Sequence, residues 1–184
     1  MTDLTKLDIT DAAAALAASD FTAEDLLAAY LDRIERFDGT LHAFITVLAE
    51  PALVQARASD QRRANGDCLS SLDGIPIGLK DNIDLAGVPT TNGMAKFRDP
   101  DRDAEATRRL RAAGAVIIGK LNMHEGALGA TTRNLHHGIC ENPWRIGYTP
   151  GGSSGGSASA VAARLCAGAL GSDTMGSVRL PAAY

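Results

Sequence analysis

The stretch TPGGSSGGSASAVAARLCAGALGSDTMGS, residues 149–177, decides how this chain is read. It opens on a glycine–serine cluster and runs without a break into a helix former from about Ser154 to Cys166. A short apolar piece, Ala169–Ser172, reads as a strand, and a second glycine-containing turn follows at Asp173–Ser177. Three readings of the first cluster stand side by side. A Gly/Ser linker is the plainest, but linkers do not normally end by opening a helix. An anion-binding loop is the second, since glycines ahead of a helix N-terminus can cradle anions. No Gly-Lys-Ser/Thr follows, however, and the spacing is not GxGxxG in its strand–helix context. The third is a serine-bearing catalytic loop, which the local chemistry favours. Glycine lets backbone N–H groups approach a reacting centre, and Ser177 stands at the end of a strand with amides ahead of it that can point at one oxygen. No GxSxG elbow occurs, which disfavours a conventional α/β-hydrolase.

Working outward, the same alternation of helix and buried strand continues upstream. Asp103–Ala113 reads as a helix stopped by Gly114, and Ala115–Ile118 as a buried strand. That order predicts an α/β layer with largely parallel strands, mixed and covered by helices. Nearer the start, residues 10–19 and 22–37 are amphipathic helices. The second opens on a capping box, Thr22 to Asp25, and carries Leu26, Leu27, Tyr30, Ile34 and Phe37 at helical spacing. His42–Leu48 reads as a short strand. A helix from Pro51 to about Ala64 follows, ended by Asn65-Gly66-Asp67. Residues 1–70 are expected to form a helical segment packing on a core begun by 71–184, within one domain.

Composition narrows the function. The chain has 184 residues, 45% of them hydrophobic, and a net charge of −4 without a basic patch, so direct nucleic-acid binding is not expected. Cys68, Cys140 and Cys166 show no CxxC spacing, and neither a disulfide framework nor a zinc site is read. No signal peptide or membrane span is read either, so a cytoplasmic protein is expected. A serine nucleophile needs a base. His42 lies in a presumed strand, His136 and His137 in a polar loop, and His124 reads as a hydrogen-bonding structural residue; none has a partner at metal-ligand spacing. Lys80 is the better candidate, in the apolar, turn-rich segment GIPIGLKDN, although on local grounds a lone lysine reads as a solvated charge.

Taken in order, GIPIGLKDN (74–82), GKLNMHE (119–125), NPW (142–144), TPGGSSGGSASAVAA (149–163) and GSDTMGSVRLPAA (171–183) resemble the amidase signature family, over about residues 22–184. The resemblance implies a Ser–cis-Ser–Lys triad: Ser177 as nucleophile, Ser153 as proton relay behind a cis Gly152–Ser153 bond, and Lys80 as base. It also implies an oxyanion hole from the backbone amides of Thr174, Met175, Gly176 and Ser177, with Ser154, Asp173 and Arg179 supporting the loops. No metal or cofactor is implied. For Lys80 to work as a base, Asp81 and Asp84 must not pair with it, because a carboxylate at contact distance would hold the proton on.

The family's usual nucleophile turn is Asp-Thr-Gly-Gly-Ser, whereas this chain has Met175 at the third position, where a positive φ would be penalised. Met175 either narrows the acyl pocket, the favoured reading, or distorts the turn and weakens activity. Members are also much longer, so the fold is expected to be incomplete here, and the chain alone to be inactive or poorly soluble. A homodimer or partner chain is a possible source of the missing part. The leading expectation is a stand-alone amidase acting on a small carboxamide. Its rivals are the glutaminase subunit of a tRNA-dependent amidotransferase and a non-catalytic remnant.

Overall fold

The computed structural model describes residues 3–95 and 98–184. Helix α1 (Ile9–Ala18) starts where the Asp8 carboxylate accepts the Asp11 amide at 2.8 Å. Helix α2 (Ala23–Leu41) carries the expected capping box, and the Asp60 carboxylate takes two further first-turn amides, those of Ala23 and Glu24. One face of α2 buries Leu26, Leu27, Tyr30 and Ile34. Phe37, expected on that face, lies at its margin, its ring covered by the Arg33 and Arg36 guanidiniums at 4.9 and 5.2 Å. The helix runs four residues past its predicted end. Asp38 stays helical while its side chain accepts the Ala43 and Phe44 amides, which anchors the turn into the next strand.

Strand β1 (Phe44–Val47) follows. Helix α3 (Ala49–Asn65) holds Pro51 in its first turn, where a missing N–H is harmless, and ends at Gly66, whose φ of 79° suits a left-handed cap. The chain then forms β2 (Pro76–Lys80), α4 (Glu105–Ala112), β3 (Val116–Leu121), α5 (Gly155–Ala162), β4 (Gly168–Leu170) and a last short turn, α6 (Arg179–Ala182).

The sheet order is β1-β3-β2-β4, with β2 parallel to both β3 and β4 and β1 antiparallel to β3. The mixed, largely parallel sheet expected from sequence is therefore present. Its central strand, β2, reads in the sequence only as a turn-rich apolar piece, because Pro76 and Gly78 argue against a strand interior. Pro76 escapes the objection as the first strand residue. Gly78 suits the close packing there, since a Cβ would stand 2.6 Å from the Leu121 side chain and push it aside. Strand β3 extends past its predicted end through Gly119, Lys120 and Leu121. Helix α5 stops short of Cys166: Arg164 turns left-handed (φ 58°), and the Arg33 side chain donates to the carbonyls of Ala163 and Arg164. The main core joins α1, α2 and α3 to the sheet and to Leu165 and Cys166. Among the described residues no helix is long and apolar enough to cross a membrane.

Candidate active site

Lys80 is the last residue of the central strand and is fully buried. The glycine–serine loop enters α5 directly beside it. The Gly152–Ser153 peptide bond is cis, and the loop is pinned from several sides. Thr132 Oγ1 donates to the Gly151 carbonyl at 2.8 Å and accepts the Gly155 amide at 3.0 Å. The His124 amide donates to the Ser153 carbonyl at 3.0 Å, and the Gly156 amide to that of Asn122 at 3.0 Å. Two of the glycines are imposed by backbone proximity. A Cβ on Gly152 would meet the Thr131 nitrogen at 2.7 Å, and one on Gly156 the Asn122 carbonyl oxygen at 2.3 Å.

Lys80 Nζ lies 2.7 Å from Ser153 Oγ and 2.9 Å from Ser172 Oγ. Burial pulls the lysine down to about 8, against a smaller opposing pull from Asp173. Neither neighbouring carboxylate touches it, as a lysine base requires: Asp81 pairs with Lys120 at 3.1 Å and Asp84 with Arg98 at 2.9 Å. Ser172 does not stand out in the sequence as a site residue. It sits in the same glycine-flanked turn as Ser177, which is the signal that could have found it, and it also accepts from Asn82 Nδ2 at 2.9 Å. Ser154 supports this turn, with its hydroxyl donating to the Ser172 carbonyl and accepting the Ser172 amide at 3.2 and 3.3 Å.

The turn that carries Ser177 is folded around Asp173. Its carboxylate accepts the amides of Gly176, Val178 and Arg179 at 2.7–3.1 Å and the Arg179 guanidinium through two nitrogens. Arg179, ahead of the backbone amides, holds the Asp173 carboxyl well below the usual carboxylate range. Two expectations change here. The Gly176 amide, assigned to the oxyanion hole, is already taken by Asp173, while the Thr174, Met175 and Ser177 amides donate to nothing among the described residues. Met175 does not need a left-handed backbone; Gly176 does, at φ 106°. The Met175 side chain, expected to narrow a pocket, is 94% exposed.

Ser177 is half-buried, and its carbonyl accepts the Ser154 amide at 3.1 Å. Its hydroxyl makes no hydrogen bond among the described residues, so the Ser153–Ser177 link is not formed in this geometry. Lys80, Ser153 and Ser172 are joined, and Ser177 is tethered beside them through its backbone. Chemically the group offers a buried amine low enough to be neutral near pH 8, a hydroxyl in contact with it, and a second hydroxyl on a turn with free amides.

The chain resembles known proteins over nearly its whole length. The profile of a family described as Amidase matches residues 25–184. One subunit of the glutamyl-tRNA(Gln) amidotransferase of Chloroflexus aurantiacus is 51% identical over 186 residues, covering all of this chain and 38% of the relative. The same subunit from Anaeromyxobacter sp. (strain K) is 47% identical over 184 residues, 99% of this chain and 37% of the relative. Among solved structures, a peptide amidase from Stenotrophomonas maltophilia superposes with a TM-score of 0.89 at 40% identity, over 97% of this chain and 38% of that one. A fatty acid amide hydrolase gives a TM-score of 0.93 at 27% identity, over 98% and 32%. The chain thus spans less than two fifths of the length of these four relatives.

Proposed function

The chain belongs to the Amidase family, and from that premise we propose that it supplies the catalytic residues of a glutaminase subunit, one that takes ammonia from a glutamine side chain for a tRNA-dependent amidotransferase. The contact between the buried Lys80 Nζ and Ser153 Oγ, at 2.7 Å, carries the hydrolytic part of this reading. Neutral Lys80 draws the Ser153 proton, Ser153 takes the proton of Ser177, and the Ser177 oxygen attacks the carboxamide carbon. Free amides of Thr174, Met175 and Ser177 are available to the resulting oxyanion, and one such donor is worth about 2.7–4 kcal/mol in a transition state. The proton returns along the same path to the departing nitrogen, leaving ammonia and an acyl-Ser177. Water, deprotonated by the same relay, then releases glutamate.

The choice of amidotransferase over the stand-alone amidase expected from sequence rests on the curated relatives. Relatives 46–51% identical across nearly the whole chain are this one component of the glutamyl-tRNA(Gln) enzyme. Ammonia passed onward requires partner subunits, whereas a stand-alone amidase does not. Two measurements on the full-length protein separate the readings. A fluorophosphonate probe should label the parent and not Ser177→Ala. Ammonia release from glutamine should rise when partner subunits and acylated tRNA are added. Fast release from simple carboxamides by the lone protein points instead to a stand-alone amidase, and absence of labelling overturns both.

A further inference from the structure

We propose that Lys120 is a positioning residue for the reaction, holding the Asp81 carboxylate on the opposite side of the sheet from Lys80 and cancelling its charge there. The inference rests on the reading of Lys80 as the base. It starts from a problem written into the sequence: the residue that must be free to lose a proton is followed directly by an aspartate. A carboxylate near a lysine favours the charged form.

Strand alternation gives the first half of the solution. In the β2–β3 register Leu79 pairs with Lys120 and Lys80 with Leu121, so Lys80 and Lys120 leave opposite faces of the sheet. Asp81 continues the ladder, its amide donating to the Leu121 carbonyl at 3.0 Å. Its side chain therefore follows the face of Leu79 and Lys120.

Lys120 gives the second half. It and Asp81 are both fully buried, with Nζ 3.1 Å from Oδ1. Oδ1 has no hydrogen-bond donor of its own among the described residues, so Lys120 is its sole compensation. Oδ2 accepts the Thr91 amide at 2.9 Å and the Thr91 hydroxyl. Lys120 Nζ also reaches Thr90 Oγ1 at 3.1 Å. A buried ion pair is a weak source of stability compared with an apolar pair of the same volume. Its position behind a lysine that must be neutral gives it a use that stability does not.

The other titratable groups in the segments that follow these strands have partners of their own among the described residues. From the turn after β4 comes Asp173, engaged by Arg179. From the segment after β2 comes Asp84, engaged by Arg98. From the loop after β3 comes His137, whose Nε2 lies 3.1 Å from Thr91 Oγ1 and 3.2 Å from the Met94 carbonyl.

The test is the pH dependence of kcat/KM in the full-length protein with its own amide substrate. Lys120→Met removes the cation beside Asp81 and should move the acid limb up by about one pH unit, and Asp81→Asn removes the anion beside Lys120 and should move it down. The double variant should return the limb to the parent position, and Lys120→Arg should leave it there. Shifts of the same sign in both single variants, loss of kcat at every pH with an unmoved limb, or a double variant that keeps either shift would each overturn the proposal. Should Lys120→Met not fold, Asp81→Asn and the double variant decide by the same criteria. Lys80→Met separates this inference from the reading beneath it. If Lys80→Met stays active, the base assignment fails. If it is dead while Asp81→Asn leaves the limb in place, only the role of Lys120 fails.

Discussion

Lys80 leaves the end of β2 with two hydroxyls against its amine and no carboxylate in contact, so its proton is governed mainly by burial. An ordinary lysine value of 10.5 drops to about 8 here. Below that pH the amine is protonated and cannot draw on Ser153. The rate should therefore climb with unit slope as pH rises and level off above about 8, and Lys80→Met should lower it by on the order of 10²–10⁴-fold. Stability carries the same sign, in a higher pH window. Because the folded-state value lies below the unfolded one, the unfolded chain holds more protons between about 8 and 10.5, so stability should rise with pH across that window. Urea titrations of parent and Lys80→Met at about pH 7.5 and about pH 9.5 read this directly; an equal pH response in both would remove Lys80 as the cause. None of this is visible locally in the sequence, where a lone lysine reads as a surface charge; the buried setting comes from β2 being central. Asp173 is a second residue whose work emerges only in three dimensions. Expected to support the turn, it also engages the Gly176 amide, which is then not free for the proposed oxyanion hole.

Helices with strong local punctuation are legible in the sequence, and the elements set by packing are not. The Thr22–Asp25 box and Gly66 mark the start of α2 and the end of α3 because both signals act through the nearest backbone amides and carbonyls. Strand β2 defies its Pro and Gly because neighbours on both sides supply its pairing, and α5 is cut short by an arginine from α2, over a hundred residues earlier. The α2 start also shows why a cap's worth depends on its surroundings. Asp60 already takes two first-turn amides, so Thr22→Ala should cost only about 0.5 kcal/mol, at the low end for caps. Asp60→Ala should cost more, and thermal melts of the two variants and their double will show it. The glycine loop is less forgiving. Gly152→Ala places a methyl 2.7–2.9 Å from the backbone of Gly129, Ala130 and Thr131, atoms that cannot swing aside. About 1–3 kcal/mol of destabilisation follows by the usual cost of overpacking, accompanied by loss of fluorophosphonate labelling as Ser153 shifts.

At the scale of the whole molecule, sheet edges and apolar surface stand uncovered beside the candidate site. Strands β1 and β4 are the open edges of the sheet. Beside β4 lies an apolar groove of about 320 Å³ lined by Trp144, Val161, Ala169, Val178 and Tyr184 among others. Trp144 is 77% exposed, as one wall of that groove, and Met175 stands free at the nucleophile turn. Contiguous apolar surface of this kind normally meets protein, and the relatives matched here are more than twice as long. Polypeptide covering the groove would also press on the turn that carries Ser177, the one member of the proposed triad whose hydroxyl is unengaged. The 184-residue chain made alone should therefore bind an apolar dye such as ANS and release little ammonia from any carboxamide, while its lysine–serine contact persists. A longer protein containing these residues should suppress the dye signal and gain probe labelling at Ser177 together. If the signal vanished without any gain in labelling, covering the groove would have no part in positioning Ser177, and the unformed Ser153–Ser177 contact would have to be closed by substrate itself.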